Sequence, residues 1–155
     1  MGKRLLLSLV FVLALATIAV ATDDPMVGTW KLNVTKSKAT GMALPKSEAI
    51  RIEADGNGFK LVLDTVDAAG KKSHSESPMI LDGKYHSVAG HPNYDEATGK
   101  RVDSYTYVGA RKKGGQEVGS MRSVISKDGK TMTMAQKGKN EQGEGVSRTM
   151  VYEKQ

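Results

Sequence analysis

The sequence predicts an all-β protein, a single antiparallel up-and-down β-barrel of about eight to ten strands. Three observations support this fold class. A Gly-x-Trp sequence, Gly28 to Trp30, opens the first strand-like segment after a removable leader. Beyond it, apolar and polar residues alternate with period two, and turn residues interrupt the alternation about every ten residues. No segment shows the clear apolar period of an amphipathic helix.

Residues 1–21 have the features of a cleaved secretion signal. A basic start is followed by an apolar run over residues 5–18 and then by Ala19-Val20-Ala21, which offers small residues to a signal peptidase. The run is only just long enough to cross a bilayer, which takes about 20 residues, and the small residues follow it directly. We therefore expect a mature chain that begins at Thr22, is periplasmic or extracellular, and is not stably inserted in a membrane.

The mature chain, residues 22–155, fits one domain with a hydrophobic core of its own. The chain has no Cys, which excludes disulfides and a lipid-modified amino-terminal cysteine. Loss of Lys3 and Arg4 lowers the formal net charge from +6 to +4, an excess that mostly favours solubility. Nucleic acid is not an expected partner, because a nucleic-acid groove places stacking rings beside its charges. The basic clusters, which lack such rings, are predicted to be solvated hairpin tips: Lys71-Lys72, Arg111 to Lys113, Lys127 to Lys130 and Lys137 to Lys139.

Nine strands are predicted, separated by turns such as Asp55-Gly56-Asn57-Gly58 and Asp128-Gly129. They span residues 26–33, 47–54, 58–66, 71–80, 84–90, 101–110, 116–126, 130–137 and 145–153. A closed up-and-down barrel requires an even number of strands. Either residues 91–100 contain a further short strand, or one of the nine segments is not a strand.

Turn chemistry sets the register of two hairpins. A two-residue loop at Gly56-Asn57 pairs Ile52 with Leu61 and Ile50 with Leu63, which places these apolar side chains on one face. The same reasoning at Asp128-Gly129 pairs Ile125 with Met132 and Ser123 with Met134. The side chains predicted there to point inward are Met121, Ile125, Met132 and Met134, with Ser123 opposite Met134.

The two ends of the mature chain resemble known β-barrel families. Val27 to Leu32 is similar to the opening strand of lipocalins and of intracellular fatty-acid-binding proteins, and Val151 to Lys154 to the last strand of the latter. The likeness to small secreted bacterial lipocalin-like proteins spans most of the mature chain. It is carried by Gly28 to Asn33, Lys36 to Lys38, Ser126 to Thr133 and Tyr152 to Lys154. The resemblance implies a lipocalin-like barrel that binds a small molecule.

Fatty-acid-binding proteins have a helical lid after the first strand and an Arg-x-Tyr carboxylate clamp on the last. Residues 34–46, which contain one Gly and one Pro, are too short and too interrupted for that lid. The Arg position of the clamp is Met150 in this chain, and the nearest substitute is Arg148. The resemblance implies that Tyr152 faces inward, so that Arg148 and Tyr152 could hold a carboxylate. The alternative is an Arg148 that extends to solvent at the barrel rim.

Trp30 and two tyrosines complete the candidates. The Gly-x-Trp tryptophan of lipocalin-like folds packs across the closed end of the barrel, so the resemblance implies a structural role for Trp30. Tyr105 and Tyr107 are predicted to share one face of a strand, where they either line a cavity or point outward. The candidate ligand-binding residues are therefore Tyr105, Tyr107, Met121, Met132, Met134, Arg148 and Tyr152.

A turn at Asp82-Gly83 would set His74 opposite His91, with Glu76 on the same face, and His86 opposite Met79. Two imidazoles and a carboxylate can hold zinc. Prolines and a glycine interrupt this hairpin, however, so we expect no metal site.

No catalytic motif is found: the chain lacks Gly-x-Ser-x-Gly, His-Glu-x-x-His and a phosphate-binding glycine loop. We therefore expect no catalytic residue and no cofactor, and interpret the chain as a binding protein for a small hydrophobic or amphiphilic molecule. Two alternatives stay open: a protein-interaction or envelope-stress module with a filled barrel, and an enzyme on this fold. A connected cavity of ~300 Å³ or more would favour ligand binding.

Overall fold

Ten strands form one antiparallel sheet in the computed structural model, which describes residues 24–89, 94–139 and 142–155. They are β1 (Gly28–Thr40), β2 (Ser47–Asp55), β3 (Gly58–Val66), β4 (Lys72–Ile80), β5 (His86–Ser87), β6 (Glu96–Asp103), β7 (Thr106–Lys113), β8 (Gln116–Ile125), β9 (Thr131–Lys139) and β10 (Gly145–Lys154). Their order across the sheet is β4-β3-β2-β1-β10-β9-β8-β7-β6-β5, and the sheet rolls into a nearly closed barrel. The predicted fold class is confirmed.

The tenth strand accounts for the odd number predicted from the sequence. The predicted strand 101–110 is wrong, because its residues belong to β6 and β7, which a tight turn connects between Asp103 and Thr106. The Asp103 carboxylate accepts a hydrogen bond from the Tyr105 backbone N–H at 2.8 Å, which stabilises the chain reversal. No Gly or Pro marks this turn, and β6 begins inside the 91–100 interval.

The predicted hairpin at Asp82-Gly83 is also wrong. β4 pairs with β3, and β5 pairs with β6, so that His86 lies opposite Ala97 rather than Met79. Among the described residues, the edge of β4 that faces β5 and β6 therefore forms no β-ladder. Near the end of β4, the Gly83 N–H still donates to the Gly99 carbonyl at 2.9 Å and keeps the two edges close.

His91, the predicted partner of His74, lies outside the described residues. His74 Nδ1 lies 2.7 Å from an Asp64 carboxylate oxygen on the neighbouring strand. Within 24–89, 94–139 and 142–155, no group of three or more His, Asp and Glu residues is placed to hold a metal ion.

Both predicted hairpin registers are confirmed. Ile52 lies opposite Leu61, and Ile125 lies opposite Met132. Gly56 adopts a φ of 56°, in the left-handed region that glycine tolerates best. The turn between β2 and β3 therefore favours a glycine at this position.

β1 continues to Thr40, beyond the predicted end at residue 33. Its ladder with β10 is irregular between Asn33 and Lys38. There the Ser37 hydroxyl accepts a hydrogen bond from the Val151 N–H at 2.9 Å and donates one to the Asn33 carbonyl at 2.7 Å. These side-chain bonds bridge the bulge, and the strand resumes after it.

The link from β1 to β2 contains no helix, as predicted from residues 34–46. In the part of the chain that the structure describes, no helix is long and apolar enough to cross a membrane.

The connections between strands define two ends of the barrel. The end with the β2–β3, β6–β7 and β8–β9 turns and the segment 24–27 is termed the closed end. The end with the β1–β2, β3–β4, β7–β8 and β9–β10 links is termed the open end. The core cluster fills the closed half, and its buried members are Met26, Trp30, Leu32, Ile50, Ile52, Phe59, Tyr107, Ile125, Met132, Met134, Met150 and Tyr152.

Candidate functional site

Trp30 lies at the closed end and is completely buried. Its indole Nε1–H donates a hydrogen bond to the Met26 carbonyl at 2.8 Å, and the Lys154 ammonium lies 5.1 Å from the ring centroid. A buried indole needs such a partner for its N–H group. This placement agrees with the structural role that the resemblance implies, which the mutation described below would test.

Asp24, in the segment before β1, contacts side chains at the closed end of the barrel. The Asp24 carboxylate accepts hydrogen bonds from the Tyr107 hydroxyl at 2.6 Å and from the Met26 N–H at 2.9 Å, and it forms an ion pair with Arg101. The guanidinium of Arg101 also lies over the Tyr107 ring, 5.0 Å from its centroid. The Tyr107 hydroxyl and the Arg101 guanidinium are thus both paired with Asp24. Tyr107 is therefore part of the packed closed end.

The expectation that Tyr105 and Tyr107 share one face is wrong. Tyr105 lies in the β6–β7 turn and is 37% exposed, whereas Tyr107 is fully buried on β7. Neither residue lines the cavities described below.

A carboxylate, Glu48 on β2, meets Tyr152 inside the barrel. Glu48 is only 7% exposed, and its two oxygens accept hydrogen bonds from the Tyr152 hydroxyl at 2.5 Å and from the Thr65 hydroxyl at 3.1 Å. Burial raises the pKa of Tyr152 far above its ordinary value, and the negative charge of Glu48 raises it further. Tyr152 is therefore a protonated donor at neutral pH, and its partner is a carboxylate of the chain itself.

Two rungs of inward-facing residues surround the barrel above this core. The strand registers align Gly99, Gly109, Met121, Gln136 and Arg148 in one rung, and Ala97, Arg111, Gly119, Gly138 and Val146 in the next. Glycines and an alanine occupy many of these positions. With small residues at these positions, few side-chain atoms extend into this part of the interior, which borders two cavities.

The lateral cavity has a volume of about 300 Å³ and lies behind the unpaired edge of β4. Its wall is mainly apolar, with Leu61, Met79, Val88, Ala97 and Met121 among its residues. A wall of this kind suits an apolar group.

The open-end cavity has a volume of about 430 Å³ and is more polar. Arg111, Arg148 and Gln136 contribute to its wall, and Arg148 Nε donates a hydrogen bond to Gln136 Oε1 at 2.7 Å. The Arg111 guanidinium lies over the Tyr94 ring, 4.7 Å from the centroid. The two cavities share Tyr94, Arg111 and Ser120 in their walls, so they adjoin each other.

The predicted ligand-binding residues occupy three different environments. Met121 lines the lateral cavity and Arg148 the open-end cavity. Arg148 is half-buried rather than fully exposed at the rim. The inward orientation of the three predicted methionines is confirmed, and Met132, Met134 and Tyr152 are buried in the core below the cavities.

Sequence reasoning missed Glu48 and Arg111. Arg111 was grouped with the basic residues of a hairpin tip, and this assignment is wrong, because Arg111 lies within β7 and lines both cavities. Period-two alternation from Tyr107 reaches Arg111, and alternation from Ile50 reaches Glu48. For Arg111 this signal depended on the correct strand boundaries, whereas Glu48 already lay within the predicted strand 47–54.

Comparison with protein-family profiles finds no match, and comparison with curated protein sequences also finds none. Solved structures do match. A fatty acid binding protein of Schistosoma mansoni in complex with arachidonic acid is similar with a TM-score of 0.57 and 8% identity, over 84% of this chain and 96% of that chain. Apo lipid binding protein 8 of Caenorhabditis elegans is similar with a TM-score of 0.54 and 11% identity, over 88% and 100%.

As-p18, an extracellular fatty acid binding protein, is similar with a TM-score of 0.53 and 15% identity, over 85% of this chain and 97% of that chain. At such identities the likeness concerns the fold. The shared feature is therefore the fold, a single antiparallel β-barrel of ten strands.

Proposed function

We propose that this protein binds a small, partly apolar molecule non-covalently inside its barrel. The observation that carries the proposal is the pair of adjoining cavities, about 300 and 430 Å³ in volume. Binding cavities for small molecules typically have volumes of ~300–1,000 Å³. The interaction-module alternative assumed a filled barrel, and empty space of this size supports ligand binding instead.

The chemistry of the walls supports an amphiphilic ligand. The lateral cavity is mainly apolar, and the open-end cavity carries arginine and glutamine side chains. The similar solved structures are described as fatty acid or lipid binding proteins, which supports a ligand of this general kind. The proposed activity is binding alone and involves neither a catalytic residue nor a cofactor.

The test uses the fluorescence of N-phenyl-1-naphthylamine, a neutral apolar probe whose emission rises on transfer from water to an apolar site. Ala97→Phe places a ring in the wall of the lateral cavity, and we expect it to weaken probe binding at least tenfold. Ala135→Phe is the matched control, because Ala135 on β9 alternates with the inward Met134 and Gln136 and faces the outside. No binding to the wild type, or equal loss in both variants, would overturn the proposal.

Native mass spectrometry of protein purified from its own host gives a second, independent test. A retained small molecule is expected as an added mass that disappears on unfolding. Its fragmentation would also identify the compound class.

We further propose that the chain is exported to the periplasm or outside the cell and cleaved after Ala21, with the mature protein as a bacterial lipocalin-like barrel. Support comes from the apolar run and the small residues before Thr22. Intact mass of the exported protein should correspond to residues 22–155. A species that retains residues 5–21 would contradict the cleavage.

A further inference from the structure

We propose that Arg111 and Arg148 form an anion site at the open end, so that the ligand is an amphiphile whose carboxylate or phosphate lies between these arginines. The inference rests on the proposed binding function and adds the charge and the orientation of the ligand. The apolar part would extend from the open-end cavity into the lateral cavity. The headgroup would thus lie above Tyr152 rather than on it.

Arg111 is placed at the junction of the two cavities. It lies opposite Ala97 on β6 and Gly119 on β8, and both neighbours face inward with small or absent side chains. The Tyr94 ring supports its guanidinium from one side at 4.7 Å. A guanidinium held against a ring keeps its N–H edge available for a carboxylate or phosphate, which it binds in a bidentate manner.

Arg148 supplies a second cation to the same space. Its Nε donates a hydrogen bond to Gln136 Oε1 at 2.7 Å, which orients the guanidinium. The N–H groups on the two terminal nitrogens are the donors that would bind the anion. Among the described residues, no carboxylate forms an ion pair with Arg148 or Arg111, and no Asp or Glu lines the open-end cavity. Two half-buried cations in the wall of one cavity, whose described lining contains no carboxylate, favour the entry of an anion.

Glu48 explains why the headgroup would not bind at Tyr152 instead. The Tyr152 hydroxyl, which the sequence suggested as a carboxylate ligand, already donates to Glu48 at 2.5 Å, and Thr65 donates to the same side chain. A ligand carboxylate beside Tyr152 would find this hydroxyl already donating to Glu48, and the negative charge of Glu48 would repel it. Negative charge is therefore supplied by the chain beside Tyr152 and left to the ligand at Arg111 and Arg148.

The shared wall of the cavities gives the ligand its path. Arg111 and Ser120 border both spaces, and beyond them the lateral cavity offers Leu61, Met79 and Met121. An anion at Arg111 thus places the adjoining alkyl chain directly beside the apolar wall.

The experiment measures displacement of N-phenyl-1-naphthylamine by three ligands with the same twelve-carbon chain: laurate, dodecyl phosphate and dodecanol. We expect at least one of the two anions to bind the wild type ten times more tightly than dodecanol. The ranking of laurate and dodecyl phosphate then distinguishes a carboxylate site from a phosphate site. Isothermal titration calorimetry of the preferred anion gives the dissociation constant directly.

Arg111→Gln and Arg148→Gln should each weaken anion binding about tenfold and change dodecanol binding less than twofold. Arg111→Lys keeps the charge but loses the bidentate geometry, so it should weaken anion binding less than Arg111→Gln does. Arg122→Gln, on the exposed face of β8, should have no effect. Thermal melts of every variant verify the fold.

Dodecanol binding as tight as that of both anions would overturn the anion site and leave the proposed function standing. An anion preference that survives both glutamine substitutions would likewise overturn it. No binding of any of the three ligands or of the probe would overturn the proposed function together with this inference.

Discussion

The closed and open ends of this barrel use the same strands but different inward side chains. Near the closed end, one rung across three strands consists of large buried residues, Ile125, Met132 and Tyr152. Near the open end, the equivalent rung of the same strands consists of Gly119, Gly138 and Val146. Strand pairing is continuous through both. Side-chain volume therefore decides that one end is filled and stabilises the fold while the other holds the cavities.

The largest effect should follow from emptying the closed end. Trp30→Ala removes a fully buried ring and its hydrogen bond to Met26, and we expect the free energy of unfolding to fall by about 3–5 kcal/mol. Urea denaturation monitored by circular dichroism measures this. Arg122→Ala, an exposed position on β8, is the control and should change stability by no more than about 0.5 kcal/mol. Equal losses would contradict the division into two ends.

A smaller effect is expected from the buried polar contact between Tyr152 and Glu48. Tyr152→Phe leaves the buried Glu48 carboxylate without its short hydrogen bond, and should cost about 1–3 kcal/mol. Tyr105→Phe, in an exposed turn, should cost less than about 0.5 kcal/mol. Similar losses for both substitutions would mean that the Glu48 contact contributes nothing to stability.

The same pair predicts a pH dependence. Because burial and Glu48 raise the pKa of Tyr152 in the folded state, folding favours the protonated phenol. The associated stability is present below the ordinary tyrosine pKa of about 10 and is lost as the pH rises above it. The stability difference between wild type and Tyr152→Phe should therefore shrink above pH ~10. A constant difference from pH 7 to 11 would show that Tyr152 ionises normally.

The smallest effect on stability should come from the open end. Arg111→Gln removes the contact with the Tyr94 ring, and cation–π contacts near a surface contribute about 0.5–1 kcal/mol. Urea denaturation of this variant should therefore show a loss of no more than about 1 kcal/mol. A loss comparable to that of Trp30→Ala would place Arg111 in the core and contradict the difference between the two ends.

Period-two patterning and turn residues were sufficient to predict the all-β barrel and the registers of two hairpins. The Gly56-Asn57 and Asp128-Gly129 turns act locally, so their pairings, such as Ile52 with Leu61, could be read from spacing alone. The same logic gave the wrong result at Asp82-Gly83. There β4 and β5 pair with different partners, a choice that depends on the whole barrel.

The candidate site depended more on tertiary structure. Arg148 was identified from its position two residues before Met150 on the last strand. Arg111 was not, because an unmarked turn between Asp103 and Thr106 divides the predicted strand 101–110 and changes which residues belong to β7. Glu48 meets Tyr152 across the intervening strand β1, a contact between residues 104 positions apart that local patterning does not encode.

The sequence by itself therefore determined the class of fold, the inward methionines and the two local turns, because these depend on residues a few positions apart. The tertiary structure decided where the cavities lie, which cations line them and which carboxylate reaches Tyr152. Each of these depends on side chains from strands that are far apart in the sequence. The alignment of those strands cannot be derived from residue spacing or composition.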